Sequence, residues 1–371
     1  MMRLSFSFAL VLMAAAPSFA VQPLEVMTYN ILHGQPCSGG SLGSEVEPRM
    51  ELAVQGGAGG EPGLAALGPD ILGMQEVSQV FFDQPVAENQ ACLVLGLLPP
   101  PIGGLPPGLT TIEAYEHAAD YLVRRLNGVT PSSPYKMRFE RDNPRVLPLL
   151  PDVPLAPDEK SFSDLSAEMS DLEIGLALIS KFRIQLVTVH NLTIGEVPGE
   201  TRAILHATVR VRNPDGSETP VDFYDSHLTT TGGDSPQTVV MAAEIVRFIK
   251  STRRHPENPG FFTCDCNAEP DSLTHQLFAA AGFVDTFAKA SSDPGFTSGR
   301  DGLSTDCSQT ATERIDYVWA LPDSQGRIPQ VLSSAVVMDY SVPNPVLGGC
   351  RFPSDHDGVL TTFDFATRVL P

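Results

Sequence analysis

Short apolar segments of this chain repeatedly end at a polar side chain that can hold a metal ion or transfer a proton. The segment from Val26 to Ile31, for example, is rich in β-branched and aromatic residues and carries Asn30 near its end. Strand ends that face the same way bring their polar residues to one rim, so the pattern predicts a single site there. In chain order these residues are Asn30, Glu76, His227, Asp265, Asn267, Asp316, Asp355 and His356.

The second half of the chain predicts paired strands with helices between them. Leu176 to Ser180 and Ile184 to Leu192 are consecutive strand candidates. Residues 205–212 alternate apolar with polar side chains, which is typical of a half-buried strand and predicts that His206 is exposed. A helix follows Ser235, with an apolar stripe formed by Val239, Ala242, Ala243, Val246 and Ile249. This order predicts an α/β fold of two packed sheets covered by helices.

The amino-terminal segment has the pattern of a secretory signal peptide. Residues 1–20 combine Arg3, an apolar run and small residues before the expected cleavage near Ala20. We therefore expect a secreted or periplasmic protein in which residues 21–371 form a single domain. Proline clusters predict a loop-rich insertion near residues 94–157, with one helix from Glu113 to Leu126 inside it.

Export makes the six cysteines candidates for disulfide bonds. The favoured pairs lie in surroundings rich in glycine, proline and serine, and they join Cys37 with Cys92 and Cys307 with Cys350. The other two cysteines flank Asp265, and the sequence leaves their state open.

The formal net charge of −20 bears on the choice of substrate. A strongly acidic surface repels polyanions at long range, which argues mildly against avid, non-specific binding of nucleic acid. A small phosphoester or a lipid head group is favoured slightly, and nucleic acid stays an alternative. No sequence feature predicts a protein partner.

The chemistry of the rim residues predicts phosphoester hydrolysis. Mg²⁺ prefers oxygen ligands, which Glu76, Asp355 and the amide of Asn30 can supply, and Mn²⁺ is an alternative ion. Asp265 or His356 can activate the attacking water, and the sequence does not decide between them. In the remaining roles Asn267 holds phosphoryl oxygens, His227 contacts phosphate or the leaving oxygen, and Asp316 fixes the tautomer of His356.

The chain resembles the endonuclease/exonuclease/phosphatase superfamily, which includes deoxyribonucleases and neutral sphingomyelinases, from about Leu24 to Phe365. The resemblance rests on the following motifs: Thr28-Tyr29-Asn30-Ile31, Gln75-Glu76-Val77, Gly175 to Ser180, Ser226-His227-Leu228, Asp265-Cys266-Asn267, Arg314-Ile315-Asp316-Tyr317 and Ser354-Asp355-His356. It implies a four-layer α/β/β/α sandwich of two mainly antiparallel sheets flanked by helices. It also implies Mg²⁺-assisted hydrolysis, with Asn30, Glu76 and Asp355 near the metal and Asp316 orienting His356.

The chain departs from this family at the Asp-x-Asn motif. The family usually has glycine before the aspartate and an aromatic or aliphatic residue after it, whereas this chain has Cys264 and Cys266. The leading hypothesis is a secreted Mg²⁺-dependent phosphodiesterase. The alternatives are a non-specific extracellular nuclease and a catalytically impaired binding module on the same scaffold.

Overall fold

The computed structural model describes residues 23–31, 46–81, 115–129, 136–144, 173–194, 202–300, 303–304, 306–344 and 349–371. The predicted signal peptide and the predicted Cys37–Cys92 pair lie outside these residues. The division into a signal peptide and one domain therefore stays a prediction. No helix in the described ranges is long and apolar enough to span a bilayer.

Strands make up most of the regular structure in the described residues, and many of the longer ones are rich in the β-branched and aromatic residues that favour strands. In chain order the described strands are β1 Pro23–Asn30, β2 Ile71–Phe81, β3 Tyr115–His117, β4 Lys136–Pro144, β5 Glu173–Ser180, β6 Arg183–Asn191, β7 Ala203–Arg212, β8 Glu218–His227, β9 Gly260–Asp265, β10 Val284–Asp285, β11 Leu303–Ser304, β12 Asp316–Leu321, β13 Ile328–Val337, β14 Val342–Pro343, β15 Cys350–Arg351 and β16 Gly358–Val369. The described helices are α1 Val46–Gln55, α2 Leu64–Leu67, α3 Ala118–Val129, α4 Pro236–Thr252, α5 Leu273–Ala280 and α6 Thr286–Ala290.

The strands form two large sheets. The first sheet has the order β13-β16-β1-β2-β5-β4, with β3 paired to β2, and the second has the order β10-β12-β9-β8-β7-β6. A small third sheet joins β11, β15 and β14. Of the described strand pairs, β1–β2 and β8–β9 are parallel and the others are antiparallel, which confirms the prediction of mainly antiparallel sheets.

Three apolar clusters show the order of the layers. Between the sheets, Leu178 of the first packs in one cluster with Phe223 and Phe261 of the second. The outer face of the first sheet packs against the helices α1 to α3, and the outer face of the second packs against α4 and α5. Burial of each large apolar side chain contributes about 1.5–3 kcal/mol, so these clusters supply the main driving force for the sandwich. The predicted four-layer α/β/β/α fold is confirmed.

The structure changes several local predictions. The strand predicted over residues 71–74 continues as β2 to Phe81, past an irregularity in register between Met74 and Val77. The predicted helix from Glu113 begins later, because residues 115–117 pair with β2 as β3 before α3 starts. Within the predicted insertion near residues 94–157, residues 115–129 and 136–144 contain β3, α3 and β4 and so contribute to the first sheet and its helical layer. The Pro-rich segments 82–114 and 145–172 lie outside the described residues.

The predicted exposure of His206 is wrong. Helix α4 packs in one apolar cluster with Ile204 of β7 and Tyr224 of β8, and His206 stacks on Tyr224. The outer face of β7 is therefore covered, and His206 and Thr208 are buried although the strand alternates in sequence. Ser235 caps α4 as predicted, and the buried face of that helix centres on Met241, Ile245 and Ile249, so it is turned slightly from the predicted stripe. Covering by a helix converts a strand that reads as half-buried into one buried on both faces.

Two disulfide bonds lie in the described part of the chain. Cys307 pairs with Cys350, as predicted, and ties the loop after β11 to β15. Cys264 pairs with Cys266, which settles the state that the sequence left open. Both sulfur-bearing side chains belong to the apolar cluster on the helical side of the second sheet, while Asp265 between them faces the other way.

Candidate active site

Strand pairing brings three of the predicted residues side by side on the second sheet. In the parallel pair β8–β9, His227 lies opposite Asp265, and in the antiparallel pair β9–β12, Asp265 lies opposite Asp316. All three side chains are at most 1% exposed. Their register produces the polar rim that the sequence predicts, since each residue sits at the same edge of the sheet.

Asn30, at the end of β1 in the first sheet, and the loop between β15 and β16 complete the rim. The side-chain amide of Asn30 donates a hydrogen bond of 2.8 Å to Asp265 Oδ2, which joins the two sheets. Ser354 Oγ donates to the Asn30 carbonyl at 2.8 Å, and the His356 amide donates to Ser354 Oγ at 3.2 Å. These contacts place Asp355 and His356 beside the strand ends.

Glu76 reaches the rim from a strained position in β2. Its φ of +57° lies in the left-handed region, at the irregularity in register between Met74 and Val77. Such a conformation costs about 1–3 kcal/mol in a residue other than glycine and is found preferentially at functional sites. The distortion turns the Glu76 carboxylate toward the rim, where Oε1 lies 3.8 Å from His227 Nε2.

His356 and Asp316 form a buried pair of the kind used in acid–base chemistry. His356 Nδ1 lies 2.8 Å from Asp316 Oδ2, and the same oxygen accepts a 2.6 Å hydrogen bond from Thr297 Oγ1. The other ring nitrogen, Nε2, lies 3.8 Å from Asp265 Oδ2 and 3.4 Å from Ser298 Oγ. Asp316 thereby fixes the orientation of the ring and directs Nε2 toward the rim.

The rim carries an excess of buried negative charge. Burial, together with the neighbouring carboxylates of Asp316 and Glu76, raises the pKa of Asp265 to about 7. Burial alone would lower the pKa of His356, but Asp316, Asp265 and Asp355 raise it well above its usual value. Carboxylates in such numbers stabilise a positive charge among them, whether a proton, an imidazolium or a metal ion.

Two overlapping groups of side chains are spaced closely enough to hold a metal ion. Glu76, His227 and Asp265 each offer a ligand atom within 4.8 Å of the others, and so do Asp265, Asp316 and His356. Asn30 joins both groups through its bond to Asp265. Asp355 stands in neither group, but it lies on the adjacent loop, with Oδ1 3.2 Å from Ser354 Oγ.

Asn267 lies beside this cluster and is one of the residues that line a neighbouring cleft. Its side-chain amide donates to the Leu228 carbonyl at 3.0 Å, and its backbone amide donates to Asp265 Oδ1 at 3.1 Å. The cleft has a volume of about 490 Å³ and is lined by Thr230, Thr231, Gly232, Gly233, Asp234, Ser235, Asn267, Glu269, Ser272, Glu313 and Ile315. A substrate bound at the rim can extend into this cleft.

The structure adds residues that sequence reasoning missed. Arg202, which is 4% exposed, lies with Nη1 2.7 Å from His227 Nδ1. Thr297 and Ser298 contact the Asp316–His356 pair from the loop after α6. For Arg202, the sequence offers one indication of a role, which is its position directly before the apolar segment that forms β7. For Thr297 and Ser298, the sequence offers no indication.

Comparison with known proteins agrees with this fold. The sequence profile of the Endonuclease/Exonuclease/phosphatase family matches residues 27–356. A search of curated proteins gives no match. Among solved structures, an endonuclease/exonuclease/phosphatase family protein from Leptotrichia buccalis C-1013-b is 16% identical, with a TM-score of 0.54 over 92% of this chain and 99% of that one.

Two further solved structures share the fold, one of a phosphatase and the other of a protein in complex with DNA. A mannosyl-6-phosphatase from Bacteroides thetaiotaomicron VPI-5482 is 14% identical, with a TM-score of 0.53 over 94% of this chain and 100% of that one. D. rerio TDP2, complexed with single strand DNA product, is 14% identical, with a TM-score of 0.51 over 92% of this chain and 98% of that one. At such identities the likeness shows the fold alone. Since the family profile covers most of the sequence, this chain belongs to the Endonuclease/Exonuclease/phosphatase family, whose members are metal-dependent phosphoester hydrolases.

Proposed function

We propose that this protein is a secreted, Mg²⁺-dependent phosphodiesterase that uses direct attack by water. The observation that carries the proposal is the convergence of Asp265, the Asp316–His356 pair, Glu76 and Asn30 on one rim, from strands distant in sequence. Such a set combines acidic ligands, an oriented imidazole and hydrogen-bond donors, which is what phosphoester hydrolysis requires.

The donor set fits a hard divalent cation. Glu76, Asp355 and the amide oxygen of Asn30 would hold the ion, and the excess of carboxylates that raises the pKa of Asp265 is the charge environment such an ion neutralises. When bound, the ion neutralises phosphoryl oxygens and makes the phosphorus more electrophilic. Mn²⁺ accepts the same oxygen ligands and is expected to substitute for it.

Side chains of the protein supply the remaining catalytic functions. Asp265 and His356 Nε2 stand 3.8 Å apart, so an attacking water held between them can lose its proton to either group. Asp316 stabilises the imidazolium whenever His356 carries the proton. His227 donates from Nε2 toward a phosphoryl or leaving oxygen, and Asn267 positions the substrate at the cleft.

The cleft favours a small or head-group substrate over a long polyanion. Its lining includes the carboxylates of Asp234, Glu269 and Glu313, and no lysine or arginine stands among the described residues that line it. Together with the net charge of −20, this lining disfavours additional phosphates and suits a neutral or cationic alcohol. A lipid head group or a small diester therefore ranks before nucleic acid.

Export rests on the pattern of residues 1–20 and is consistent with the two described disulfides. Disulfide bonds persist in oxidising compartments, such as the periplasm and the cell exterior. Mass spectrometry of the protein recovered from the medium or periplasm tests this part, with a mature chain beginning near residue 21 as the expected result. An intact amino terminus on cytoplasmic protein would contradict it.

The decisive experiment is a panel assay of the mature protein. With Mg²⁺ present, we expect turnover of a chromogenic phosphodiester, then of sphingomyelin or a small head-group diester, with weaker cleavage of DNA, RNA and phosphomonoesters. Chelation should abolish turnover, and Glu76→Gln should do so while Glu257→Gln, at an exposed distant site, should not. A protein that binds ligands but turns none of them over would be a binding module. Preferential cleavage of DNA or RNA would instead assign a nuclease.

A further inference from the structure

His227 is a buried imidazole whose two nitrogens face opposite kinds of partner. On one side, Arg202 Nη1 lies 2.7 Å from Nδ1. On the other side, Nε2 faces Asp265 Oδ2 at 3.4 Å and Glu76 Oε1 at 3.8 Å. A guanidinium is always charged and has no acceptor, so Nδ1 must accept the hydrogen bond with its lone pair. The ring proton then lies on Nε2, directed toward the two carboxylates.

We propose that Arg202 is a positioning residue that selects this tautomer and thereby determines which metal ions the rim accepts. A nitrogen that carries a proton has no lone pair for a metal. His227 is then excluded as a ligand, although its spacing with Glu76 and Asp265 is suitable for one. The inference rests on the proposed function, because the ion concerned is the one used for hydrolysis.

The consequence is a choice between two classes of metal. With a free Nε2 lone pair, Glu76, His227 and Asp265 would present one imidazole and two carboxylates, a set that suits Zn²⁺ and Co²⁺. With the proton on Nε2, the same place offers oxygen ligands alone, which is the preference of Mg²⁺. Arg202 also keeps an N–H donor of His227 at the rim, where it would donate to a phosphoryl oxygen of a bound substrate.

The fold holds Arg202 in this place by its backbone. The Arg202 carbonyl accepts a 2.7 Å hydrogen bond from the Leu192 amide, and the next carbonyl, of Ala203, accepts one of 2.8 Å from Ser226 Oγ. Ser226 directly precedes His227 in β8, and β7 and β8 are paired neighbours. The start of β7 is thus anchored to the end of β8, so the guanidinium and the imidazole meet at a defined position.

The first test reads the tautomer directly. In the metal-free protein labelled with ¹⁵N, we expect the His227 ring to show one unprotonated nitrogen at Nδ1 and one protonated nitrogen at Nε2. Arg202→Lys, which keeps a charged donor, should retain this pattern, and Arg202→Met should lose it. Arg253→Met is the matched control, since Arg253 donates to the carbonyls of Pro322 and Asn258 away from the rim. A proton on Nδ1 in the wild-type protein would overturn the proposal.

The second test measures metal preference. Wild-type protein should bind Co²⁺ with the weak visible absorption of oxygen ligation, and Arg202→Met should give a stronger, shifted band from a nitrogen ligand. By calorimetry, the ratio of Zn²⁺ to Mg²⁺ affinity should rise by about 10-fold or more in Arg202→Met and stay near the wild-type ratio in Arg202→Lys and Arg253→Met. An unchanged ratio and spectrum in folded Arg202→Met would refute the role assigned to Arg202.

Neither readout depends on turnover. A protein that shows the expected tautomer and metal preference but hydrolyses no phosphoester would retain this inference and lose the proposed function. Conversely, Mg²⁺-dependent hydrolysis with the proton of His227 on Nδ1 would keep the function and reject the role of Arg202. If Arg202→Met does not fold, the ¹⁵N pattern of the wild-type protein still tests the proposal, because a proton on Nε2 of His227 supports it and a proton on Nδ1 overturns it.

Discussion

In the described part of the chain, the buried pairs His356–Asp316 and His206–Asp222 have hydrogen bonds of nearly the same length but very different surroundings. His356 Nδ1 lies 2.8 Å from Asp316 Oδ2 at the rim, and His206 Nε2 lies 2.9 Å from Asp222 Oδ1 within the second sheet. His206 is completely buried and stacks on Tyr224 with ring centroids 4.4 Å apart. His356 instead faces a second carboxylate, that of Asp265, through its other ring nitrogen.

The partners of the two aspartates explain what each pair can do. The second oxygen of Asp222 accepts hydrogen bonds from the backbone amides of Arg254 and His255, at 3.0 Å and 2.8 Å, so this carboxylate ties β8 to the end of α4. Asp316 accepts from the side chain of Thr297 and stands opposite Asp265 across the strand pair. A histidine–aspartate contact is therefore a site only where the imidazole also faces a place that substrate can reach.

The largest expected effect separates the two pairs by activity. His356→Ala removes the oriented imidazole, and we expect turnover of a chromogenic phosphodiester to fall by about 1,000-fold or more, since acid–base groups contribute factors of that order. His206→Ala should leave kcat per folded molecule nearly unchanged. Steady-state rates at saturating Mg²⁺ provide the measurement. Retained turnover in His356→Ala would show that the His356–Asp316 pair does not take part in catalysis.

Stability should separate the same two variants in the opposite order. His206→Ala leaves the Asp222 carboxylate without its imidazole in a place sealed by α4, and such a loss costs about 3 kcal/mol or more. His356→Ala should cost less, because water can enter from the rim and Thr297 continues to donate to Asp316. Urea unfolding monitored by circular dichroism gives both free energies. Equal losses would mean that the rim is as sealed as the core.

The contrast also marks what could be predicted from the sequence. The rim residues could be predicted because each follows a short apolar strand that is visible in the local sequence, and because the ends of such strands meet at one edge of a sheet. His206 could not be placed in this way, because its burial depends on α4, which follows it by some thirty residues in the chain. A strand pattern reports the side chains of that strand and not the layer that later covers it.

Other features were beyond prediction for the same physical reason. The approach of Arg202 to His227 arises from the pairing of β7 with β8, and the strained backbone of Glu76 arises from an irregular register between β2 and β5. Both are consequences of how strands pair, which composition and spacing do not encode. The four-layer order was predictable because the resemblance to a family supplies a complete topology, whereas the contacts that support the site depend on strand register that the motifs do not specify.

Changes in pH should act on the two pairs with opposite sign. The raised pKa values of Asp265 and His356 give stability that is complete at low pH and is lost as pH rises through neutrality, because the folded protein must give up favourably held protons. Burial would raise the pKa of Asp222, but hydrogen bonds from His206 and the His255 amide keep it below its usual value. Its contribution is therefore present above about pH 4 and lost on acidification below that.

Thermal unfolding of the metal-free protein between about pH 5 and pH 8 tests the predicted pH dependence of the rim residues. We expect Tm to fall as pH rises. Mg²⁺ should raise Tm more at the higher pH, since its ligands must be ionised, with about 2.7 kcal/mol of stabilisation at 100 times its Kd. Glu76→Gln should reduce this gain. A Tm of the metal-free protein that rises across the range would contradict the charge excess at the rim.

The smallest effect concerns Thr297, whose hydroxyl donates at 2.6 Å to the oxygen of Asp316 that also holds His356. Thr297→Val removes that donor and keeps the shape, so Asp316 is less well held and kcat should fall by about 10-fold with little change in KM. Thr297→Ser retains the hydroxyl and should restore most of the rate. Thr286→Val is the matched control, because Thr286 is a buried threonine that donates to the Val318 carbonyl at 2.7 Å. A comparable fall of kcat in the control would assign the effect to packing. A fall specific to Thr297→Val would show that the His356–Asp316 pair depends on a side-chain donor, whereas Asp222 is held by backbone amides.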